Sequence, residues 1–126
     1  MKVVSWNCRG LGGIQKLEVI KRFKTMEYAS IILIQEAKKS AEDSLETIKS
    51  IWTKGTGIAT NAHGASGGLL SWWNSEQYEM LEAIEDRNWL LIELEDKDSK
   101  KKFWVGNVYG PTLNAQKERF WNSLEE

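Results

Sequence analysis

Asn7 and Glu36 close two similar stretches of the chain: "KVVSWNC" runs through β-branched residues to an amide, and "IILIQEAK" runs through four apolar residues to a glutamine and a glutamate. Runs of this kind predict strands. In a parallel or mixed sheet, functional groups gather where strands end at their carboxyl termini, because polar side chains there reach solvent while the backbone holds them in place. If the two strands are neighbours, an amide oxygen and a carboxylate face one small volume. Hard oxygen ligands suit Mg²⁺ or Mn²⁺, and Mg²⁺ takes one or two protein carboxylates and keeps water or phosphate in its other positions. On pattern alone, the competing reading of Glu36 is a solvated strand end.

The other reactive groups point elsewhere. Cys8 is the one cysteine and His63 the one histidine. Nothing in the sequence pairs them, so Cys8 reads as a buried inert thiol and His63 as a loop residue ahead of a glycine turn. The glycine stretches "RGLGG" and "GASGG" permit backbone amides to approach a phosphate, but ordinary turns are the commoner explanation, and no Gly-Lys-Ser/Thr follows to make a Walker loop. In "SWWN" the paired Trp72 and Trp73 alternate faces, so at least one belongs to the core. The lysines of "DKDSKKK" read as a solvated hairpin tip.

The elements that must carry these groups alternate in the first half. After the first strand, "EVIKRFKTM" sets Val19, Phe23 and Met26 along one helical face, with Ile20 beside them. After the second strand, Ser40 with Asp43 predicts a capped helix start, and Leu45, Ile48 and Trp52 a buried stripe. A β-α-β-α order implies parallel pairing. From Gly55 onward the short strands "GIATNA", "GGLLSWW", "YEMLEAI", "NWLLIELED" and "KFWVGNVYG" suggest an antiparallel meander. Leu90, Ile92 and Leu94 share one face while Trp89 and Leu91 begin the other, and Phe103 and Val105 oppose Trp104 and Val108. Both sheet faces are therefore apolar, more than two helices can cover. A third helix is expected near Leu113 to Glu126. Its final acids oppose the helix dipole and no glycine cap follows, so the expectation is one partial domain, residues 1–126, whose partner sheet is missing or supplied by a second copy.

Composition sets wider bounds. The 126 residues are 41% hydrophobic and carry a formal net charge of −1, enough for one core but no overall field to attract nucleic acid. No basic-then-apolar leader or long apolar span is present, and with one cysteine the expectation is an intracellular protein of nucleus or cytoplasm, neither membrane-bound nor secreted.

Four ordered motifs, "VVSWNCRGLGG", "ILIQEAK", "GASGGLLSWWN" and "VGNVYGPT", resemble the endonuclease/exonuclease/phosphatase superfamily, and within it the apurinic-type endonuclease domain at the front of plant non-LTR retrotransposon polyproteins. The resemblance spans essentially the whole chain but about the first half of the family's domain. It implies an α/β fold in which two stacked mixed sheets flanked by helices form a DNase-I-like four-layer sandwich. It also implies a Mg²⁺-dependent DNA endonuclease with Glu36 as metal-binding carboxylate, Asn7 as an amide near metal and phosphate, and Tyr109 as the phosphate-contacting tyrosine. The partner implied is the DNA phosphodiester backbone, and the product a nick with a 3′-hydroxyl. Tyr109 has a simpler alternative, an amphipathic tyrosine at the core's edge.

The sequence departs from that family in three places. Arg9 stands where many members carry an acid two residues after the asparagine; it cannot ligate a metal, but can hold a phosphate bidentately or face solvent. Ala37 replaces the threonine of the family's "QET". The family's later Asp-x-Asn pair and terminal Asp-His pair read as absent from the chain, and His63 does not match the catalytic histidine. Each such group contributes about 10²-fold or more, so the isolated chain is expected to be catalytically deficient. Two other readings stand beside this one: a non-enzymatic remnant that self-associates through an exposed sheet face, and a phosphatase on the same fold.

Overall fold

A computed structural model describes residues 1–63, 66–86 and 88–109. The elements run β1 (Val3–Asn7), α1 (Gly13–Thr25), β2 (Ile31–Gln35), α2 (Ala41–Lys49), β3 (Gly55–Ala59), β4 (Ala62–His63), β5 (Ser66–Gly67), β6 (Leu70–Asn74), β7 (Tyr78–Glu85), β8 (Trp89–Asp96) and β9 (Lys102–Val108).

The first sheet has the order β1-β2-β6-β3, with β1 parallel to β2 and β6 antiparallel to both of its neighbours. Each face buries a different set of side chains, as alternation along a strand requires. Ile32, Ile34, Leu70 and Trp72 pack with Ile20 of α1 and with Ile48 and Trp52 of and after α2. Ile31, Leu33 and Trp73 point the other way, against the second sheet. In that sheet, order β7-β8-β9 and all antiparallel, the inward residues are Tyr78, Leu90, Ile92 and Leu94. Helices, sheet and sheet thus form three described layers.

Local chemistry accounts for the joints. Ser40 caps α2, its hydroxyl accepting from Asp43 N at 3.1 Å. Trp72 can lie flat over β3 because β3 carries glycines facing it: a Cβ at Gly55 would sit 1.9 Å from Trp72 Nε1, and one at Gly57 2.1 Å from the Ser71 carbonyl oxygen. The β8–β9 turn is tied by Asp96, whose carboxylate accepts from Asp98 N at 2.9 Å and Ser99 N at 3.1 Å. The backbone N–H groups of Ser99 and then Asp98 hold that carboxyl below its ordinary pKa.

Three expectations are corrected. The strands from Gly55 onward do not form one meander: β3 and β6 join the first sheet, and β7 to β9 form the second. The partner sheet is not missing, because β7 to β9 of this same chain cover β2 and β6. Met26, expected on the buried face of α1, is 68% exposed at the helix's C-cap. The expected third helix and the end of the chain lie outside the described residues.

Candidate active site

The parallel pairing of β1 and β2 sets Asn7 directly beside Gln35, with Glu36 one residue further on. The ladder then continues past both strands: Cys8 N donates to Gln35 O at 3.1 Å, Gly10 N to Glu36 O at 2.7 Å and Leu11 N to Ala37 O at 2.8 Å. From the other side, Ala37 N donates to Gly68 O and Lys38 N to Gly67 O, both at 3.0 Å. Three loops are sewn into one rim. Lys16 of α1 adds a side-chain donor to the carbonyl oxygens of Cys8 and Arg9. Of the "GASGG" stretch, Gly67 and Gly68 serve the rim through their carbonyl oxygens, Gly68 with φ +89°.

Backbone conformation at the rim is unusual. Arg9, Glu36 and Lys38 have φ of 54°, 53° and 57°, the left-handed region that costs a residue with a side chain about 1 kcal/mol or more. The turn at Glu36 is what ends β2. It swings the carboxylate out of the strand's alternation to a half-buried place, where Tyr109 just beyond β9 donates its phenol to Glu36 Oε1 at 3.3 Å. Tyr109 is itself anchored, its backbone N donating to Asn88 O at 2.8 Å. Burial, then the Glu36 charge, then that hydrogen bond raise the Tyr109 pKa above the ordinary phenol value, so the group remains a donor at neutral pH.

Glu36 and Tyr109 are thus brought together. Asn7 is exposed at the end of β1 on the neighbouring strand, and Arg9 is exposed in the turn that follows. Cys8 is 2% exposed, and burial pushes its thiol pKa up, which keeps it protonated and unreactive. His63 lies in the two-residue strand β4. Asp86 and Asn88 supply an Asp-x-Asn spacing that the sequence reading overlooked; they stand before Tyr109, between the end of β7 and the start of β8.

Beneath this pair lie two residues that sequence reasoning passed over. Gln35 and Asn107 are 8% and 0% exposed, and Gln35 Nε2 donates to Asn107 Oδ1 at 2.8 Å. Their signal was available: each is an amide in the phase of an otherwise apolar stripe, Ile31 and Leu33 for one, Phe103 and Val105 for the other.

Among the described residues no three His, Cys, Asp or Glu side chains come together as a metal cage. The groups at the rim, one half-buried carboxylate with an amide on the adjacent strand, fit Mg²⁺, which needs few protein ligands.

No protein-family model and no curated protein matches the sequence. Solved structures do match the fold. An endonuclease/exonuclease/phosphatase from Bacteroides vulgatus superposes with a TM-score of 0.74 at 13% identity, over 98% of this chain and 57% of its own. The APE2 catalytic domain of Xenopus laevis gives 0.70 at 20% identity, over 99% and 52%. TDP2 of D. rerio, complexed with a single-strand DNA product, gives 0.70 at 13% identity, over 98% and 51%. The chain therefore has the DNase-I-like endonuclease/exonuclease/phosphatase fold, and it spans about half the length of the structures it matches.

Proposed function

We propose that this chain is a partial endonuclease/exonuclease/phosphatase domain that contributes the metal-binding side of a Mg²⁺-dependent phosphodiesterase site acting on DNA. The observation that carries this reading is the convergence of Glu36 and Tyr109 at the strand ends of this fold, 3.3 Å apart. Glu36 would hold the cation, with Asn7 beside it. Bound there, Mg²⁺, or Mn²⁺ in its place, supplies charge stabilisation for the phosphate and the leaving oxygen. The chain's own groups do the rest. Tyr109, protonated at neutral pH, donates a hydrogen bond to a phosphate oxygen as charge develops on it. Arg9, exposed on the same rim, holds a neighbouring phosphate with its planar fork of donors.

The motif strings "WNCRGLGG" and "NVYGP" favour the endonuclease of plant non-LTR retrotransposons within this class, and an intracellular setting with it. Neither an Asp-x-Asn nor an Asp-His pair follows Tyr109 in these 126 residues, so the polypeptide alone is expected to bind DNA and metal without cutting. Anisotropy of a labelled duplex tests the binding: Mn²⁺ should tighten it and Glu36→Ala should remove the Mn²⁺ effect. Binding indifferent to both would sink the proposal. Nicking of supercoiled plasmid tests the deficiency. Mg²⁺-dependent nicking that Glu36→Ala abolishes would mean that the site is complete after all.

A second reading has its own observation. Trp104, Ile84 and Val108 on the outer face of the second sheet are 49%, 42% and 39% exposed, an apolar surface of the sort that drives self-association. A non-enzymatic remnant would use that face and would show no response to metal.

A further inference from the structure

The two sheets meet through apolar side chains, which resist sliding weakly because their attraction has no direction. Directional bonds between the layers occur near both ends of β2. At its start, Tyr78 Oη and Ser30 Oγ are 3.4 Å apart, a long contact. At its end stands a denser set. Asn107 Oδ1 accepts from Gln35 Nε2 at 2.8 Å, while Asn107 Nδ2 donates to Leu70 O at 3.0 Å, Ile34 O at 3.2 Å and Ser71 Oγ at 3.2 Å. Gln35 Nε2 also reaches Ser5 Oγ of β1 at 3.0 Å. One pair of buried amides therefore joins β1, β2, β6 and β9.

Burying two amides is a poor way to stabilise a core. An aliphatic residue at 107 would continue the stripe of Phe103 and Val105, and replacing both partners of a buried hydrogen bond by apolar groups is close to neutral in stability. The amides buy direction instead. Gln35 directly precedes Glu36, and Asn107 precedes Tyr109 by two residues; Tyr109 packs against the same inter-sheet core as Phe103 and Val105, the residues in phase with Asn107. A bond between residues 35 and 107 fixes the separation of residues 36 and 109 with almost no intervening chain.

We propose that Gln35 and Asn107 are positioning residues, an amide clamp that sets the register of β9 against β2 and thereby holds the Tyr109 phenol on the Glu36 carboxylate. This rests on the reading of Glu36 and Tyr109 as a site only for its purpose; the clamp and its geometric effect stand apart from what the site binds.

The experiment uses the full chain with ¹³C-labelled tyrosine. In the wild-type background, Glu36→Gln should shift the Tyr109 ring resonances, since it alters the group the phenol touches. In a Gln35→Leu/Asn107→Leu background that remains folded, the clamp predicts that this response is lost. Should the double variant fail to fold, Asn107→Leu alone removes the bonds to Gln35, Ile34, Leu70 and Ser71 and should likewise abolish the response. An undiminished response in a folded variant overturns the clamp. Addition of Mn²⁺ separates the two proposals: broadening of Tyr109 that disappears in Glu36→Ala supports the metal site. A lost response in the clamp variants without any Mn²⁺ broadening would retain the positioning role and remove the metal reading.

Discussion

At the scale of residues, the site depends on Glu36 being in the wrong place for a strand. Its left-handed backbone turns the carboxylate toward Tyr109 instead of continuing the alternation of Ile34 and Gln35. The Tyr109–Glu36 bond is long, so Tyr109→Phe should lower unfolding stability by only about 0.5–1 kcal/mol, measurable by urea denaturation, while weakening Mn²⁺-dependent DNA binding. The raised phenol pKa has a definite pH signature. The contribution of Tyr109 to stability is complete below the ordinary tyrosine value of about 10 and is lost as the pH rises through the elevated one. Unfolding midpoints should therefore fall above about pH 10, and less in Tyr109→Phe; equal alkaline loss in both would contradict the shift. At this scale the sequence was partly legible. Resemblance of "QE" and "VYGP" pointed to Glu36 and Tyr109, which the structure brings into contact. Gln35 and Asn107 stayed hidden because an isolated polar residue in an apolar stripe does not reveal its partner, and theirs lies 72 positions away.

At the scale of elements, local chemistry was the more readable part. The Ser40 cap, the Ile48 and Trp52 stripe and the inward Leu90, Ile92 and Leu94 follow from periodicity and capping rules, and the structure bears them out. Ser40→Ala should cost about 1 kcal/mol, seen as a lower urea midpoint. What alternation cannot tell is which sheet a strand joins. A strand buried on both faces and one buried on a single face against a second layer can share one sequence pattern, which is why β6 and β7 read as consecutive strands of a single meander. The glycines of β3 carry the missing information: they make room for Trp72 on the central strand. Gly57→Ala should destabilise more than Ser40→Ala, because its Cβ would meet a backbone oxygen that cannot step aside. Near-equal midpoints for Gly57→Ala and wild type would refute the close packing of Trp72 on β3.

At the scale of the whole molecule, three layers are described and the apolar outer face of the second sheet remains partly exposed. On β1, Val3, Ser5 and Asn7 share a face with Ile31, Leu33 and Gln35, yet all three are exposed where their β2 counterparts are buried. The second sheet lies over β2 and does not cover β1 to the same extent. This accords with the proposal of a partial domain, as does the half-length match to known structures. Sedimentation and dye binding address it: the polypeptide alone should bind a hydrophobic dye and show concentration-dependent association. A compact monomer silent to dye would argue that these surfaces are sufficiently covered.

The central claim, that Glu36 marks a cation site at the joined ends of β1 and β2, is tested most directly by Mn²⁺ broadening in ¹⁵N-labelled protein. Amide signals around Asn7 to Gly10, Gln35 to Lys38 and Tyr109 should be lost, and should recover in Glu36→Ala. Broadening centred on another acidic stretch, such as the Asp96–Asp98 turn, or broadening at the rim that Glu36→Ala leaves untouched, would contradict it.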